Sequence, residues 1–221
     1  MIIKENGIEF WIETNEATIV NAKIINQSTR IPEHIHNIPI TKISPSAFVG
    51  SDFQEILLPS TIKQIGAEAF ANCHQLETVI IYKAGRQCKH KFLKLEKKAF
   101  IGCLSLTYFH MDNKLLIIGE QAFASCSKLM EINGYVYEIK NGGLDGCHAL
   151  TYLVFSNNAI LNDNSIANFN SMSGLTFVGE AKASEKTLQD IKKEGMRIVC
   201  RKNTNLENLA YEGFDVSIIE G

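Results

Sequence analysis

The stretch IKQIGAEAFANCHQLETVII, residues 62–81, carries the pattern on which the rest of the chain is built. Its apolar positions read I-x-x-I-x-x-x-A-F-x-x-C-x-x-L-x-x-V-x-I, and at least four other segments can be laid over it in the same register. Neither a helical period of 3.6 residues nor a strand period of 2.0 persists through this frame. A frame of this kind that recurs along a chain is typical of one coil of a solenoid.

The phenylalanine of the frame can be followed from coil to coil. We predict this position at Phe48, Phe70, Phe100, Phe123, Leu144 and Phe169, with spacings of 22, 30, 23, 21 and 25 residues. The position three residues later holds Ser51, Cys73, Cys103, Cys126, Cys147 and Met172. The leucine position holds Phe53, Leu76, Leu106, Leu129, Leu150 and Leu175. Residues 40–179 are therefore expected to form about six coils, which bury these positions by stacking on one another.

The spacing A-F-x-x-C-x-x-L, followed by a short strand and preceded by I-x-x-I-G, resembles the BspA-type leucine-rich repeats. Residues 31–48 are similar to the entry coil of that family, residues 57–70 to its repeat junction, and residues 196–219 to its terminal cap. The resemblance covers almost the whole chain. It implies a right-handed leucine-rich-repeat solenoid of the β-rich α/β class, and it says little about the partner because family members bind diverse partners.

A short strand is predicted after each leucine position, and these strands should form one parallel sheet. The predicted strands cover residues 55–58, 78–81, 107–111, 130–132, 151–155 and 176–178. Residues 1–39 are expected to cap the first coil with a hairpin of strands 8–12 and 17–20, with Trp11 in the core of the cap. Residues 180–221 are expected to form a carboxy-terminal β-α cap, in which Ser184 begins a helix and Gly195 ends it. The chain would then be a single domain, residues 1–221.

The outward side chains of the predicted strands form the first candidate binding surface. If the Leu, Val and Ile of L-x-x-V-x-I point inward, the outward residues are Glu55, Leu57, Thr78, Ile80, Tyr108, His110, Glu131, Asn133, Tyr152, Val154 and Phe177. Tyr108, Tyr152 and Phe177 are large, rigid side chains of the type enriched at interface hot spots. Strand propensity alone is a competing explanation for these aromatic residues. We predict a protein- or peptide-binding module that uses this face.

An insertion between the second and third coils forms a second candidate surface. The long spacing from Phe70 to Phe100 contains KAGRQCKHKFLKLEKK, residues 83–98, with seven Lys or Arg against one Glu. Arg86, Lys89 and Lys91 could contact an acidic partner. The alternative is a solvated loop, which is what charge runs usually are.

No sequence motif for catalysis or cofactor binding was found. The glycine-rich NGGLDG, residues 141–146, lacks the lysine and the strand-to-helix context of a phosphate loop, so turn geometry explains it better. His34 with His36, and Cys88 with His90, have no second pair at metal-ligand spacing, so no metal site is expected.

The cysteines at the frame position are predicted to be reduced and buried, as a thiol ladder. Cys73, Cys103, Cys126 and Cys147 each stand where a coil needs a small apolar side chain. Cys88 is then the cysteine expected to be exposed.

We expect no enzyme activity, because an active site would need a polar cleft of converging ionisable groups. A structural spacer or a fragment of a surface adhesin is the alternative function.

The composition gives no reason to expect nucleic acid or a membrane as a partner. The chain of 221 residues has a net charge of −2, 45% hydrophobic residues and a pI near 6.3. No apolar run approaches the ~18 residues of a membrane span, and residues 1–20 lack the apolar core of a signal peptide. As written, the chain is expected to be cytoplasmic and monomeric. The resemblance implies secretion or surface attachment, and a chain trimmed of its signal would look the same.

Overall fold

A computed structural model describes residues 1–22, 26–82, 91–166 and 171–220 of the chain and shows a β-rich solenoid. Its strands, in chain order, are β1 (Ile2–Glu5), β2 (Ile8–Ile12), β3 (Ala17–Ala22), β4 (Ser28–Arg30), β5 (His34–Ile35), β6 (Ile38–Ile43), β7 (Glu55–Pro59), β8 (Gln64–Ile65), β9 (Thr78–Tyr82), β10 (Phe92–Leu95), β11 (Tyr108–Ile118), β12 (Glu131–Ile139), β13 (Tyr152–Leu161), β14 (Gly174–Phe177), β15 (Ala181–Ala183), β16 (Arg197–Arg201) and β17 (Val216–Ile219). One α-helix, α1 (Glu185–Lys193), and a 3-10 helix (Glu207–Glu212) lie near the carboxyl end.

One side of the solenoid is a layer of parallel strands, called the strand face below. Its order is β4, β7, β9, β11, β12, β13, β14, β16 and β17, and every neighbouring pair is parallel. All six predicted strands belong to this layer, and each begins within two residues of its predicted start. The prediction of a parallel strand face is confirmed.

A second layer of parallel strands lies on the other side of the coils. It consists of β3, β6, β8, β10, the second halves of β11, β12 and β13, and β15. The I-x-x-I segments contribute to this layer. In β11, β12 and β13 the strand continues from one layer into the other, so these strands are 11, 9 and 10 residues long.

The A-F-x-x-C segments form turns with one recurring backbone conformation. Two residues before and two residues after the phenylalanine position, the backbone is left-handed, with φ between 53° and 75°. The pairs are Ser46 and Gly50, Glu68 and Asn72, Lys98 and Gly102, Gln121 and Ser125, and Gly142 and Gly146. Left-handed backbone is uncommon outside glycine, so its repetition at two fixed positions identifies the turn in each coil.

The sixth coil departs from the predicted register by three residues. Asn164 has φ +53°, and Ile166, two residues later, is fully buried. Ile166 therefore takes the phenylalanine position that we predicted for Phe169, which lies outside the described residues. The strand pairing agrees, since Leu153 pairs with Leu175 and Phe155 with Phe177. The predicted register of this coil was wrong because Ile166 lacks the aromatic ring by which the frame was traced.

The interior of the first four coils contains a column of stacked phenylalanines. The ring centroids are 4.8 Å apart for Phe48 and Phe70, 4.8 Å for Phe70 and Phe100, and 5.3 Å for Phe100 and Phe123, with nearly parallel planes. Phe109 meets the last two rings edge-on. All five rings are buried. Each coil thus buries its ring against the rings of its neighbours.

A column of free thiols lies beside the phenylalanine column, as predicted. Each thiol donates a hydrogen bond to the carbonyl of the phenylalanine one coil earlier: Cys73 to Phe48 at 3.1 Å, Cys103 to Phe70 at 3.0 Å, Cys126 to Phe100 at 3.2 Å, and Cys147 to Phe123 at 3.3 Å. The neighbouring Cys103 thiol and burial raise the pKa of Cys73, and burial raises the pKa of Cys147. These four cysteines and Cys200 are free and buried. Cys88 lies outside the described residues.

The amino-terminal hairpin is confirmed, but the placement of its tryptophan was wrong. Strands β2 and β3 are antiparallel, and β3 pairs in parallel with β6 of the first coil. The added strand β1 pairs antiparallel with β2. Phe10 is buried in the core, whereas Trp11 is 44% exposed. Successive residues of a strand point to opposite faces, so burial of Phe10 turns Trp11 toward solvent.

The carboxyl end forms two strand units that extend the strand face by β16 and β17. The Ser184 hydroxyl accepts a hydrogen bond from the backbone N–H of Thr187 at the start of α1, and Gly195 follows the helix with φ +64°. The second helix of this region is the 3-10 helix, which ends at Gly213, with φ +81°. Neither of the helices in the described residues has the length and apolar character needed to cross a membrane.

Candidate functional site

The structure brings most of the predicted binding residues together in two rows that cross the strand face. Pairing between strands aligns Glu55, Thr78, Tyr108 and Glu131 in the first row, and Leu57, Ile80, His110 and Asn133 in the second. Residues on either side of them, such as Val79, Phe109 and Ile132, are buried. The alternation of strand side chains thus places both rows on the outer surface.

A trough runs along these rows, over the middle of the strand face. One concavity, of about 420 Å³, is lined by Thr78, Ile80, Tyr108, His110, Glu131 and Asn133, with Phe109 beneath. A second concavity, of about 210 Å³, is lined by Asn133, Tyr135, Tyr152 and Val154, with Ile132 and Gly134. Asn133 borders both. We call the two concavities together the trough.

Three tyrosines give the trough its exposed aromatic surface. Tyr108 and Tyr152 are each 46% exposed, and Tyr135 is 47% exposed. Tyr135 was not among the predicted site residues, because the predicted strand ended at Ile132. The signal was available in the sequence, since the alternation of INGYVYEI continues beyond Ile132 and shows that the strand does not stop there.

Phe177 does not belong to the candidate site. It is 2% exposed, and its ring stacks on that of Phe155 with centroids 4.7 Å apart. Its assignment as an outward residue followed from the wrong register of the sixth coil. On β14 the outward residues are Gly174 and Thr176, which pair with Tyr152 and Val154. The trough therefore has no aromatic side chain on β14.

Carboxylates are the charged groups in the middle of the strand face. Glu131 lies on β12, and Asp112 on β11 is 3.5 Å from the imidazole of His110. Glu55 accepts a hydrogen bond from Ser28. Among the outward residues of the described strands, basic side chains lie toward the ends of the face, at Arg30 on β4 and at Arg197 and Arg201 on β16. The trough is therefore aromatic with an acidic character.

The basic insertion can be followed only in part. Arg86 and Lys89 lie outside the described residues. Lys91 is exposed, with its amine 5.8 Å from the ring centre of Phe92 on the second layer, away from the trough. Two other lysines of the insertion form ion pairs, Lys94 with Glu96 and Lys97 with Glu120, each at 2.8 Å. The structure does not bring the described part of the insertion to the strand face.

Within the described residues, the adjacent Cys73 and His74 form no catalytic pair, and no cluster of possible metal ligands is present. Cys73 points into the core, whereas the imidazole of the adjacent His74 hydrogen-bonds to the carbonyl of Gly102 at 3.0 Å. The two side chains cannot act as a nucleophile and its base, because they face different directions. In the described ranges, no three His, Cys, Asp or Glu side chains cluster as metal ligands.

Comparisons with known proteins agree with the geometry of the coils. The profile of the BspA-type leucine-rich repeat region matches the sequence in six copies, over residues 41–173 and 93–213. No curated protein matches the sequence significantly.

Among solved structures, a leucine-rich-repeat protein of T. pallidum is 16% identical, with a TM-score of 0.63, over 89% of this chain and 97% of that one. A leucine-rich-repeat protein of Bacteroides ovatus is 18% identical, with a TM-score of 0.45, over 99% of this chain and 67% of that one. At this level of identity, the first similarity shows the fold and nothing further.

Proposed function

Because the chain belongs to the family of BspA-type leucine-rich repeat regions, we propose that it is a non-catalytic scaffold that binds a protein or peptide through the trough on its strand face. The observation that supports this proposal is the continuity of the trough, where two concavities of about 420 and 210 Å³ meet at Asn133. The trough also exposes tyrosines. Exposed tyrosines are common at protein interfaces, because they contribute a large contact area and lose little conformational entropy on binding.

The dimensions of the trough suit an extended segment better than a compact small molecule. It spans the four strands β9, β11, β12 and β13, which are neighbours about 4.8 Å apart, so its length is about 15 Å. An extended peptide rises about 3.3 Å per residue, so four or five residues fill the trough. The second row supplies polar groups of His110 and Asn133 beside the tyrosines, as in a polar rim around an aromatic centre.

The test of this proposal is removal of the tyrosines. A partner is first captured with the full chain from the lysate and the surface fraction of the source organism. Isothermal titration calorimetry then compares the affinity of the wild type for this partner with the affinities of the Tyr108→Ala and Tyr152→Ala variants. Each change should weaken binding by about 1–3 kcal/mol, as for a truncated aromatic residue at an interface. Circular dichroism should show that both variants keep the fold, because both side chains are half exposed.

Tyr211→Ala is the matched control, since Tyr211 is 91% exposed on the 3-10 helix and lies outside the trough. Unchanged affinity in both trough variants would contradict the proposal and move the binding site elsewhere. A purely structural spacer predicts that no captured protein depends on Tyr108 or Tyr152. We propose in addition that the protein is located at the cell surface, as the resemblance implies, and detection of the chain itself in the surface fraction tests this.

A further inference from the structure

We propose that the partner presents a cationic side chain, preferably arginine, which is held between the ring of Tyr108 and the carboxylate of Glu131. The inference rests on the proposed function and specifies the chemistry that the trough recognises. It draws on three observations: the pairing of Tyr108 with Glu131, the carboxylate of Glu131 without a counterion, and a guanidinium already stacked on a tyrosine at the edge of the same face.

The first observation is that Tyr108 and Glu131 are neighbours on adjacent strands. Tyr108 on β11 pairs directly with Glu131 on β12. Both residues line the 420 Å³ concavity of the trough. Adjacent strands are about 4.8 Å apart, and cation–π attraction operates within ~6 Å of a ring centre, so one cation can contact the ring and the carboxylate together.

The second observation is the charge of the site. The carboxylate of Glu131 forms no ion pair or hydrogen bond with any described residue, although its strand neighbours hold its backbone in place. The described outward residues of β7, β9, β11, β12, β13 and β14 include no lysine or arginine. An acidic segment would be repelled by Glu131 and Asp112, whereas a cationic side chain would gain a counterion.

The shape of the site favours arginine over lysine. The 420 Å³ concavity opens between Tyr108 and Glu131 and has the Asn133 amide on its wall. A guanidinium is flat, presents five donors and can bond both oxygens of one carboxylate while its faces stack on aromatic rings. An ammonium makes point contacts and loses more hydration when it leaves water.

The third observation is an internal example of the same contact. The guanidinium carbon of Arg30 lies 4.1 Å from the ring centre of Tyr82. The hydroxyl of Tyr82 donates to the carbonyl of Ile31 at 2.7 Å, which fixes the ring. Tyr82 is the last residue of β9, so at its amino-terminal end the strand face already binds one guanidinium on a tyrosine. Tyr108 and Tyr152 offer rings that no guanidinium of the described residues covers.

The experiment uses four libraries of blocked hexapeptides that differ only in one fixed central residue, Arg, Lys, Ala or Glu. Each library carries a fluorophore, and its binding to the full chain is measured by fluorescence polarisation. The Arg library should bind roughly tenfold more tightly than the Ala library, and the Glu library more weakly than the Ala library. Glu131→Gln and Tyr108→Ala should each remove most of the Arg advantage. Glu68→Gln and Tyr211→Ala, at exposed positions outside the trough, should preserve it.

The outcomes separate this inference from the proposed function. If all four libraries bind equally and Tyr108→Ala weakens them all, the trough binds peptides and the preference for a cation is wrong. If the Arg library keeps its advantage in Glu131→Gln and in Tyr108→Ala, arginine binds elsewhere, which also overturns the inference. If no library binds, peptide binding by the trough is contradicted, and the inference with it.

Discussion

At the scale of single residues, Glu16 joins the amino-terminal hairpin to the first two coils. Its carboxylate accepts hydrogen bonds from the Thr41 hydroxyl at 2.8 Å and the Lys63 amine at 3.1 Å, and it pairs with the amine of Lys42. These contacts, with Lys42 the largest contribution, lower the pKa of Glu16 to about 2 from an ordinary value of 4.5. The ionised form is therefore the one that the folded protein stabilises.

The first prediction is that Glu16→Gln lowers the free energy of unfolding at pH 7 by about 1–2 kcal/mol. The full pKa difference would correspond to about 3 kcal/mol, and solvent screening at the surface reduces it. The folded pKa is depressed, so the stabilisation is present above pH 4.5 and is lost as the pH falls toward 2. Urea unfolding should therefore show a smaller difference between wild type and variant at pH 3 than at pH 7. Glu68→Gln, at an exposed position, should change stability little at either pH.

The second prediction concerns the thiols. Cys73, Cys103, Cys126, Cys147 and Cys200 are buried, and the raised pKa of Cys73 and of Cys147 disfavours their reactive thiolate forms. A thiol reagent should leave these five unmodified in the native protein and should modify all six cysteines in denaturant without reductant. Fewer than six thiols under denaturing conditions would show that the protein contains a disulfide. Mass mapping of the native sample identifies which cysteine reacts first, and we expect Cys88.

At the scale of the elements, the turn between the two layers depends on close approach of successive coils. Gly66 and Gly119 are the glycines of the I-x-x-I-G motif. A Cβ added to Gly66 would come within 2.7 Å of the carbonyl oxygen of Ile43, and one added to Gly119 within 2.3 Å of that of Leu95. These carbonyl oxygens belong to the backbone, which cannot move aside as easily as the end of a flexible side chain. The glycine of the motif is thus explained by packing between coils.

The third prediction follows from this contact. Gly119→Ala should destabilise the protein by about 1–3 kcal/mol, the usual range for overpacking a core, because the coils that contain Gly119 and Leu95 must move apart. Gly174→Ala is the matched control, since the added Cβ would lie 3.4 Å from the nearest atom, the carbonyl oxygen of Arg197. Thermal unfolding of both variants measures the difference. Equal stability in the two variants would mean that the coils can move apart without a loss of stability, which would contradict this prediction.

At the scale of the whole molecule, the solenoid tolerates coils of different length because each coil pairs with its neighbours at fixed positions. Ile81 pairs with Met111 on the strand face, and Phe92 pairs with Leu115 on the second layer. The third coil joins these two positions with three residues, 112–114, whereas the second coil uses ten, 82–91. The extra residues are therefore not needed to connect the layers.

The fourth prediction is that deletion of residues 86–91 leaves the fold intact, with a change in stability within about 1 kcal/mol. Four residues, 82–85, remain to span a connection that the third coil makes with three. Circular dichroism and thermal unfolding check the result. Unfolding of the deletion variant would show that residues 86–91, which lie almost wholly outside the described residues, form part of the core. If the deletion variant also binds a captured partner with unchanged affinity, the insertion does not take part in the proposed binding.

The sequence by itself determined the coil frame, the inward residues of five coils and the thiol ladder, because each coil repeats the same short pattern of apolar positions. It also placed Tyr108, Glu131 and Tyr152 on the outer surface, since strand alternation is local. Tertiary structure decided what depends on pairing between distant segments. The sixth coil begins three residues earlier than its best aromatic match, Trp11 faces solvent because Phe10 fills the cap, and β12 runs on to bring Tyr135 beside Tyr152. Glu16 meets partners 25 to 47 residues away only when the hairpin packs on the coils, and no local pattern encodes that contact.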